Sequence, residues 1–126
     1  HDGSLSTGHA NSPKDMISRL ETMVLMGMDL PLPAIERQIA SGLDIIVHLG
    51  RLRDKSRKVL EVTEVLGYWD GQIHLQTIYR YEEIRKEDEN VTENEKKDQE
   101  SKVHGEWKKV AELFHREKLV AAGYYI

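Results

Sequence analysis

The stretch VLEVTEVLGYWDGQIHLQTIYRY, residues 59–81, contains two β-forming runs on either side of Asp70 and Gly71. The first run, up to Leu66, is rich in β-branched side chains, and in the second, from Ile73, apolar and polar side chains alternate. Both patterns are typical of strands. Asp-Gly favours the two-residue turn that joins antiparallel strands. The stretch therefore predicts a β-hairpin.

The residues before the hairpin predict one further strand and two helices. Residues 43–49 are an almost continuous apolar run, which is typical of a strand covered on both faces. Residues 54–56 predict the turn between this strand and the hairpin. A helix over residues 33–42 begins at a proline and ends at a glycine, and Ser12 is a candidate N-cap for an earlier helix over residues 13–26.

The two ends of the chain differ in character. Small polar residues alternate with larger ones over residues 5–9, and this alternation predicts a short strand. Residues 83–102 are dominated by charged side chains and predict a solvated connector. After the connector, residues 103–110 predict an edge strand and residues 111–122 a short helix.

Composition limits the classes of function. The chain has 126 residues, enough for one domain, and 18 basic against 22 acidic residues give a net charge of −4. This balance argues against a strongly basic nucleic-acid-binding surface, but it leaves a local basic patch within residues 51–58. The absence of cysteine excludes disulfides and thiolate metal sites. No apolar run approaches the ~18 residues that a membrane-spanning helix needs.

Residues 1–11, HDGSLSTGHAN, are the candidate functional segment. His1 and His9 could donate hydrogen bonds to phosphate oxygens, and the hydroxyl of Thr7 could orient a phosphate or a water molecule. The glycines permit a close approach of the backbone. On the residues alone, an ordinary polar loop is the first alternative. A metal site is a weaker one, because no third ligand stands at a matching spacing.

The same segment resembles the histidine box of the type II/IV secretion ATPases, and most closely that of the Tad/Flp pilus-assembly (CpaF-like) branch. The stretches that carry the resemblance are HDGSLSTGHANSP (1–13), RLETM (19–23), AIERQIAS (34–41), DIIV (44–47), RLRD (51–54) and VTEV (62–65). The resemblance covers about residues 1–82, and the ending KLVAAG (118–123) is similar but less specific. The chain begins with His1 and not with Met, which predicts a larger parent protein.

The resemblance implies an α/β fold, the C-terminal part of a RecA-like P-loop NTPase domain, with parallel strands, an antiparallel hairpin and a C-terminal helix. Residues 1–82 would belong to the ATPase domain, residues 83–102 would be a charged connector, and residues 103–126 a strand and helix tail. The family implies a homo-hexamer that hydrolyses ATP with Mg²⁺ at its subunit interfaces. It further implies a cytoplasmic location at the inner membrane, a membrane platform protein as partner, and a role in protein secretion or pilus assembly. No nucleic-acid partner is expected.

The resemblance also assigns roles to individual residues. It places His1 and His9 near the terminal phosphate of ATP, with Thr7 as the hydroxyl between them, and these three are the predicted catalytic residues. Arg19 is the predicted nucleotide-binding residue, and the alternative for it is an ion pair with an acidic neighbour. Three more arginines match the branch and are expected to stabilise the hairpin or a subunit contact: Arg51, Arg53 and Arg57.

The sequence departs from the family in parts that catalysis needs. It contains no G-x-x-x-x-G-K-[ST] motif, whose backbone and lysine hold the phosphates, and no acidic strand end for Mg²⁺. The chain alone is therefore expected to bind ATP weakly and to hydrolyse none. The alternative function is a non-catalytic protein-interaction module derived from such an ATPase, and a standalone fold with no ATPase role is the third. Separated from its parent, the chain is expected to expose strand edges and to self-associate.

Overall fold

The computed structural model describes residues 3–84 and 103–125. The elements of this part of the chain are α1 (Pro13–Gly27), α2 (Leu32–Gly42), β1 (Ile45–Arg51), β2 (Arg57–Trp69), β3 (Gln72–Glu83), β4 (Gly105–Lys109) and α3 (Glu117–Ala121). The strands form a sheet in the order β1-β2-β3-β4, so each strand pairs with the next one along the chain. None of the described helices is long and apolar enough to cross a membrane.

The predicted parallel, RecA-like arrangement is wrong. The neighbours in the sheet are consecutive strands, and β3 and β4 pair in antiparallel fashion. The connections from β1 to β2 and from β2 to β3 are only residues 52–56 and 70–71. Parallel neighbours need a crossover of about a dozen residues or more, so connections this short enforce antiparallel pairing. The fold is a four-stranded antiparallel sheet with a few helices, and not the C-terminal part of a RecA-like NTPase domain.

Two further expectations about strands are corrected. Residues 5–9 lie in an irregular segment ahead of α1 and form no strand. Their side chains are exposed and bury too little apolar surface to hold a strand in a sheet. Residues 43–49 do supply most of β1, but every second side chain of that strand is exposed. β1 is therefore an edge strand with one open face, and not a strand covered on both faces.

The β2–β3 hairpin confirms the prediction made from residues 59–81. β2 ends at Trp69 and β3 starts at Gln72. Between them, Asp70 and Gly71 have positive φ angles of 53° and 71°. Positive φ at both central residues is the geometry of a type I′ turn, whose twist matches that of the flanking strands. Glycine adopts this conformation without strain, and aspartate tolerates it better than most residues do.

Residues 3–46 and 65–75 form one compact unit. Its buried apolar side chains include Ile17 from α1, Ile35 from α2 and Val65 from β2. α1 and α2 contact each other. Both helices begin and end within one residue of their predicted limits, so these two predictions are confirmed.

The start of α1 is fixed by the residues immediately around it. The hydroxyl of Ser12 accepts a hydrogen bond from the backbone N–H of Asp15 over 3.0 Å. Pro13 occupies the first turn, where backbone N–H groups have no partner within the helix, so the N–H that proline lacks is not missed. Because these contacts involve only neighbours in the sequence, the helix start was predictable from Ser12 and Pro13.

The second compact unit consists of residues 47–64 and the described residues from 76 onwards. Its buried side chains include Thr63, Glu64, Ile78 and Val103. β4 pairs with β3 over residues 79–83, which confirms the strand predicted within residues 103–110. The helix predicted over residues 111–122 is shorter than expected, because α3 spans only Glu117–Ala121.

Trp107 ties three strands of this unit together. In the β3–β4 register Trp107 lies opposite Tyr81, and the two rings meet edge to face with centroids 5.3 Å apart. The indole N–H donates a hydrogen bond of 2.6 Å to the carbonyl oxygen of Val59 in β2. Gly105 permits the close approach of β4 to β3, since a side-chain carbon at Gly105 would lie 2.5 Å from the backbone oxygen of Glu82.

The N-cap gives a direct test of the local account of α1. Replacing Ser12 with alanine removes the acceptor for the Asp15 N–H and is expected to lower the free energy of unfolding by about 1 kcal/mol. Urea unfolding followed by circular dichroism measures the change. The matched control is Ser18→Ala, an exposed position inside the same helix, where alanine should be neutral or slightly stabilising. Equal losses in the two variants would contradict the capping role.

Candidate functional site

The predicted phosphate-contacting segment lies against the first turns of α1. Thr7 and His9 are exposed, and Gly8 between them packs on Met16, since a side-chain carbon at Gly8 would lie 2.8 Å from the sulfur of Met16. The segment thus passes close to α1 at Gly8, and the side chains on both sides of Gly8 are open to solvent. His1, the third predicted catalytic residue, lies outside the described residues.

Asp15 occupies the N-terminal end of α1. One of its carboxylate oxygens accepts a hydrogen bond from the backbone N–H of Asn11 over 2.9 Å and another from Nε of Arg19 over 3.0 Å. The bond from Asn11, followed by that from Arg19, holds the pKa of Asp15 below its ordinary value. The positive end of the helix is thus already matched by a carboxylate of the chain itself.

Arg19 adopts the ion pair that was the alternative to a nucleotide contact. Its guanidinium meets Asp15 one helical turn earlier, and about half of the Arg19 side chain is exposed. An exposed pair of this kind contributes little to stability. The pair does orient the carboxylate that receives the Asn11 N–H, so Arg19 supports the entry of the segment into α1. A contact between Arg19 and a nucleotide stays a prediction.

Two kinds of group that hold nucleotides and metal ions in proteins are missing, one from the sequence and one from the residues that the structure describes. The sequence has no phosphate-binding loop motif, and residues 3–84 and 103–125 contain no group of three or more histidines and carboxylates placed to hold a metal ion. Thr7 and His9 are exposed side chains without a surrounding cradle.

Sequence reasoning missed a buried carboxylate in the middle of β2. The side chain of Glu64 is 1% exposed, and its two oxygens accept hydrogen bonds of 2.8 Å from the backbone N–H groups of Phe114 and His115. These bonds hold the segment before α3 in a non-helical course, which explains why the helix starts only at Glu117. The available signal was an acidic residue inside a β-branched run, which must find donors if it is buried.

A second carboxylate, Asp54, joins the β1–β2 turn to the chain entering β4. It accepts hydrogen bonds from the backbone N–H of Ser56, at 2.9 Å, and from the Ser56 hydroxyl, at 2.5 Å. It also accepts one from the backbone N–H of Val103 at 2.9 Å. The Ser56 hydroxyl, then the Val103 and Ser56 N–H groups, lower the pKa of Asp54 to about 2. Asp54 thus links two parts of the second unit that lie far apart in the sequence.

An exposed row of side chains, termed here the β1 stripe, runs from Val47 through the rest of β1 and the turn to Arg57 at the start of β2. Ile45, two residues before the stripe, is exposed as well. Burial alternates residue by residue through this region, so that the odd-numbered side chains face solvent. The members of the β1 stripe are Val47, Leu49, Arg51, Arg53, Lys55 and Arg57. Two aliphatic side chains are followed by four basic ones. The apolar run at residues 43–49 did not predict the exposed aliphatic pair, whereas the basic members fall within the local basic patch that the sequence left open at residues 51–58.

An open apolar groove lies between α1 and α2. Its volume is about 300 Å³, and its lining residues are Leu20, Val24, Ile35, Gln38, Ile39, Gly42 and Leu43. A ligand-binding pocket usually combines apolar walls with several converging polar groups. With glutamine as its only polar side chain, this groove is better suited to apolar side chains of another segment than to a nucleotide.

The chain is similar to part of two longer proteins with the same descriptive name. No protein-family model matches the chain. It is 29% identical over 79 residues to proteins named for conjugal transfer in two strains of Mycobacterium tuberculosis. The match covers 63% of this chain and 22% of each relative, so the chain spans about a fifth of their length. The similarity is consistent with a general secretion-related role, and it does not distinguish a pilus-assembly branch.

The Asp54 contacts predict a pH dependence. A carboxyl group with a pKa of about 2 when folded and an ordinary value of 3.8 stabilises the fold fully above pH 4. That contribution is lost as the pH falls through the folded pKa. The difference in melting temperature between wild type and Asp54→Asn should therefore be largest near pH 6 and shrink between pH 4 and 2. Asp70→Asn, in the other turn, is the control. A difference that stays constant with pH would contradict the assignment.

Proposed function

We propose that this chain is a segment of a larger protein of a secretion or conjugative-transfer apparatus, and that the larger protein is an ATPase. Two observations support the proposal. One is the similarity over 79 residues to proteins named for conjugal transfer, which are much longer than the matched region. The other is the resemblance of residues 1–82 to the secretion ATPases. The groups that hold ATP and Mg²⁺ are assigned to the rest of the larger protein, because this chain lacks the phosphate-binding motif.

Within that protein, Thr7 and His9 are the proposed phosphate-contacting residues. Both side chains are exposed on either side of Gly8, ahead of the capped start of α1. An imidazole can donate a hydrogen bond to a phosphate oxygen, and its charge changes near neutral pH. A hydroxyl can orient a phosphate or the attacking water. His1 is proposed for the same role on the resemblance alone.

Arg19 is proposed to act in the same region. In its described position it holds the Asp15 carboxylate, and through it the backbone of Asn11. A terminal phosphate approaching Thr7 and His9 would compete with Asp15 for the guanidinium. We therefore propose Arg19 as a nucleotide-contacting residue that exchanges its carboxylate partner for phosphate when nucleotide is bound.

The proposed assembly follows the resemblance. The larger protein would form a homo-hexamer and work in the cytoplasm at the inner membrane, with a membrane platform protein as its partner. ATP hydrolysis would move the subunits against each other and drive secretion or pilus assembly. In this assembly the present chain supplies phosphate contacts and is inactive by itself.

A second candidate is a non-catalytic interaction module, and the exposed apolar surface favours it. Several large apolar side chains are more than half exposed: Met23, Met26, Met28, Leu49, Phe114 and Tyr125. Met23, Met26 and Met28 lie close together at the end of α1, and apolar side chains grouped on a surface are typical of sites that bind another protein. In this case the chain would dock on neighbouring subunits or on a membrane protein and take no part in nucleotide chemistry.

The phosphate role is tested by replacing His9 with alanine in the full-length parent. Loss of a hydrogen-bond donor to a transferring phosphate should lower ATP turnover by a factor on the order of 100. Steady-state ATP hydrolysis measures it. His104→Ala is the matched control, because His104 is an exposed histidine just before β4, and it should leave turnover unchanged. Wild-type turnover in the His9 variant would contradict the proposed site.

The same assay separates the two candidate functions. A full-length protein that hydrolyses no ATP under any condition would contradict the first candidate. An active parent whose turnover falls with His9→Ala and not with His104→Ala would contradict the second.

A further inference from the structure

The β1 stripe combines two chemistries in a fixed order, aliphatic side chains within β1 and basic ones at the end of the strand and beyond it. Leu49 is 64% exposed and Val47 is 49% exposed, and Arg51 follows them at the end of the strand. Side chains two residues apart on a strand are separated by roughly 7 Å. Val47, Leu49 and Arg51 therefore match the spacing of a second strand lying alongside β1. The other basic members lie beyond the end of the strand.

The basic part of the stripe is only partly neutralised by the chain itself. Arg53 binds Glu83, with Nε 3.1 Å from the carboxylate oxygen. In the described part of the chain, no salt bridge joins the other three basic members to a carboxylate: Arg51, Lys55 and Arg57. Excess positive charge at this end attracts an acidic partner, although the chain as a whole has a net charge of −4.

The turn places two of these basic residues on adjacent strands. The backbone N–H of Leu52 donates to the carbonyl oxygen of Ser56 over 2.8 Å, which closes the β1–β2 turn. Arg51 and Arg57 stand immediately outside this pair, one on each strand. Like charges that face each other across a hairpin destabilise it. A carboxylate bound between them would remove that repulsion.

β1 also presents an open backbone edge. It lies at one end of the strand order, so among the described residues it pairs only with β2. The N–H and C=O groups on its other side form a template on which another strand can add. Addition of an extended segment to such an edge is a common mode of peptide recognition, in which backbone bonds give affinity and alternate side chains give specificity.

We propose that the open edge of β1 binds an extended, acidic segment of another protein as a fifth strand. Two alternate aliphatic side chains of the partner would lie beside Val47 and Leu49. The next alternate positions would be carboxylates that pair with Arg51 and the basic side chains of the turn. This inference goes beyond the proposed function and does not depend on ATP.

Other occupants of this edge fit less well. A second copy pairing through β1 would bring no negative charge to the stripe, because the strand sequence IIVHLGR contains no carboxylate. A lipid surface would leave the N–H and C=O groups of the open edge without partners. A nucleic acid backbone would make no favourable contact with the two aliphatic side chains, and the net negative charge of the chain would repel its phosphates.

Binding is tested with short capped peptides in which threonine alternates first with two valines and then with two glutamates. The peptide is made in both sequence orders, since a strand can add in either direction. Fluorescence anisotropy should show binding about tenfold tighter than that of the matched peptide with lysine in place of glutamate. The Arg51→Glu variant should prefer the lysine peptide. Lys14→Glu, the same charge change on α1, should keep the original preference.

Hydrogen exchange locates the binding. The glutamate peptide should slow exchange of the backbone amides of residues 47–51, and Leu49→Thr should weaken both effects. Circular dichroism checks that the variants are folded. If Arg51→Glu is not folded, Arg57→Glu is tested in its place. Equal binding of the two peptides, no binding at all, protection confined to other elements, or a dimer in sedimentation whose contact is β1 would each overturn the proposal.

Discussion

Glu64 lies in the middle of β2 with its carboxylate buried, and both oxygens accept N–H groups from the chain 50 and 51 residues later. A buried carboxylate without partners costs several kcal/mol, and hydrogen bonds to a charged group recover about 1.5–3 kcal/mol each. The course of the segment before α3 is therefore not free to vary. Asp54 makes the corresponding link to the chain that enters β4. These two carboxylates hold the C-terminal part of the second unit to the strands β1 and β2.

The order of the strands in the sheet sets the surfaces available for function. Because every connection among the first three strands is a short turn, each strand pairs with its neighbour in the sequence, and β1 is left at the edge. The exposed aliphatic and basic side chains of the β1 stripe follow from that position. In the other unit, the segment of Thr7 and His9 passes close to Met16 of α1 at Gly8. The two candidate surfaces thus depend on different parts of the fold.

The features that could be predicted from the sequence are those that neighbouring residues determine. Ser12 and Pro13 specify a helix start, and Asp70 and Gly71 a type I′ turn, through contacts within a few positions. The pairing of Arg19 with a residue one turn away was foreseen as an alternative for the same reason. By contrast, the Glu64 link spans 50 residues, and nothing in the local pattern names its partners. The parallel arrangement of strands was predicted from the resemblance, and it is wrong because the turns between the strands are too short for parallel pairing.

The account is tested most directly by the exchange rates of two amide protons, those of Phe114 and His115, in wild type and in Glu64→Gln. Glutamine has nearly the same shape as glutamate, but its side chain ends in one oxygen and one NH₂ group. The NH₂ group is a donor, so it cannot accept the hydrogen bond that the second carboxylate oxygen accepts in wild type. We expect both amides to exchange slowly in wild type and at least one of them to exchange fast in the variant. The amides of the β2–β3 hairpin should stay protected in both proteins. Fast exchange in wild type, or equal rates in the two proteins, would contradict the link through Glu64.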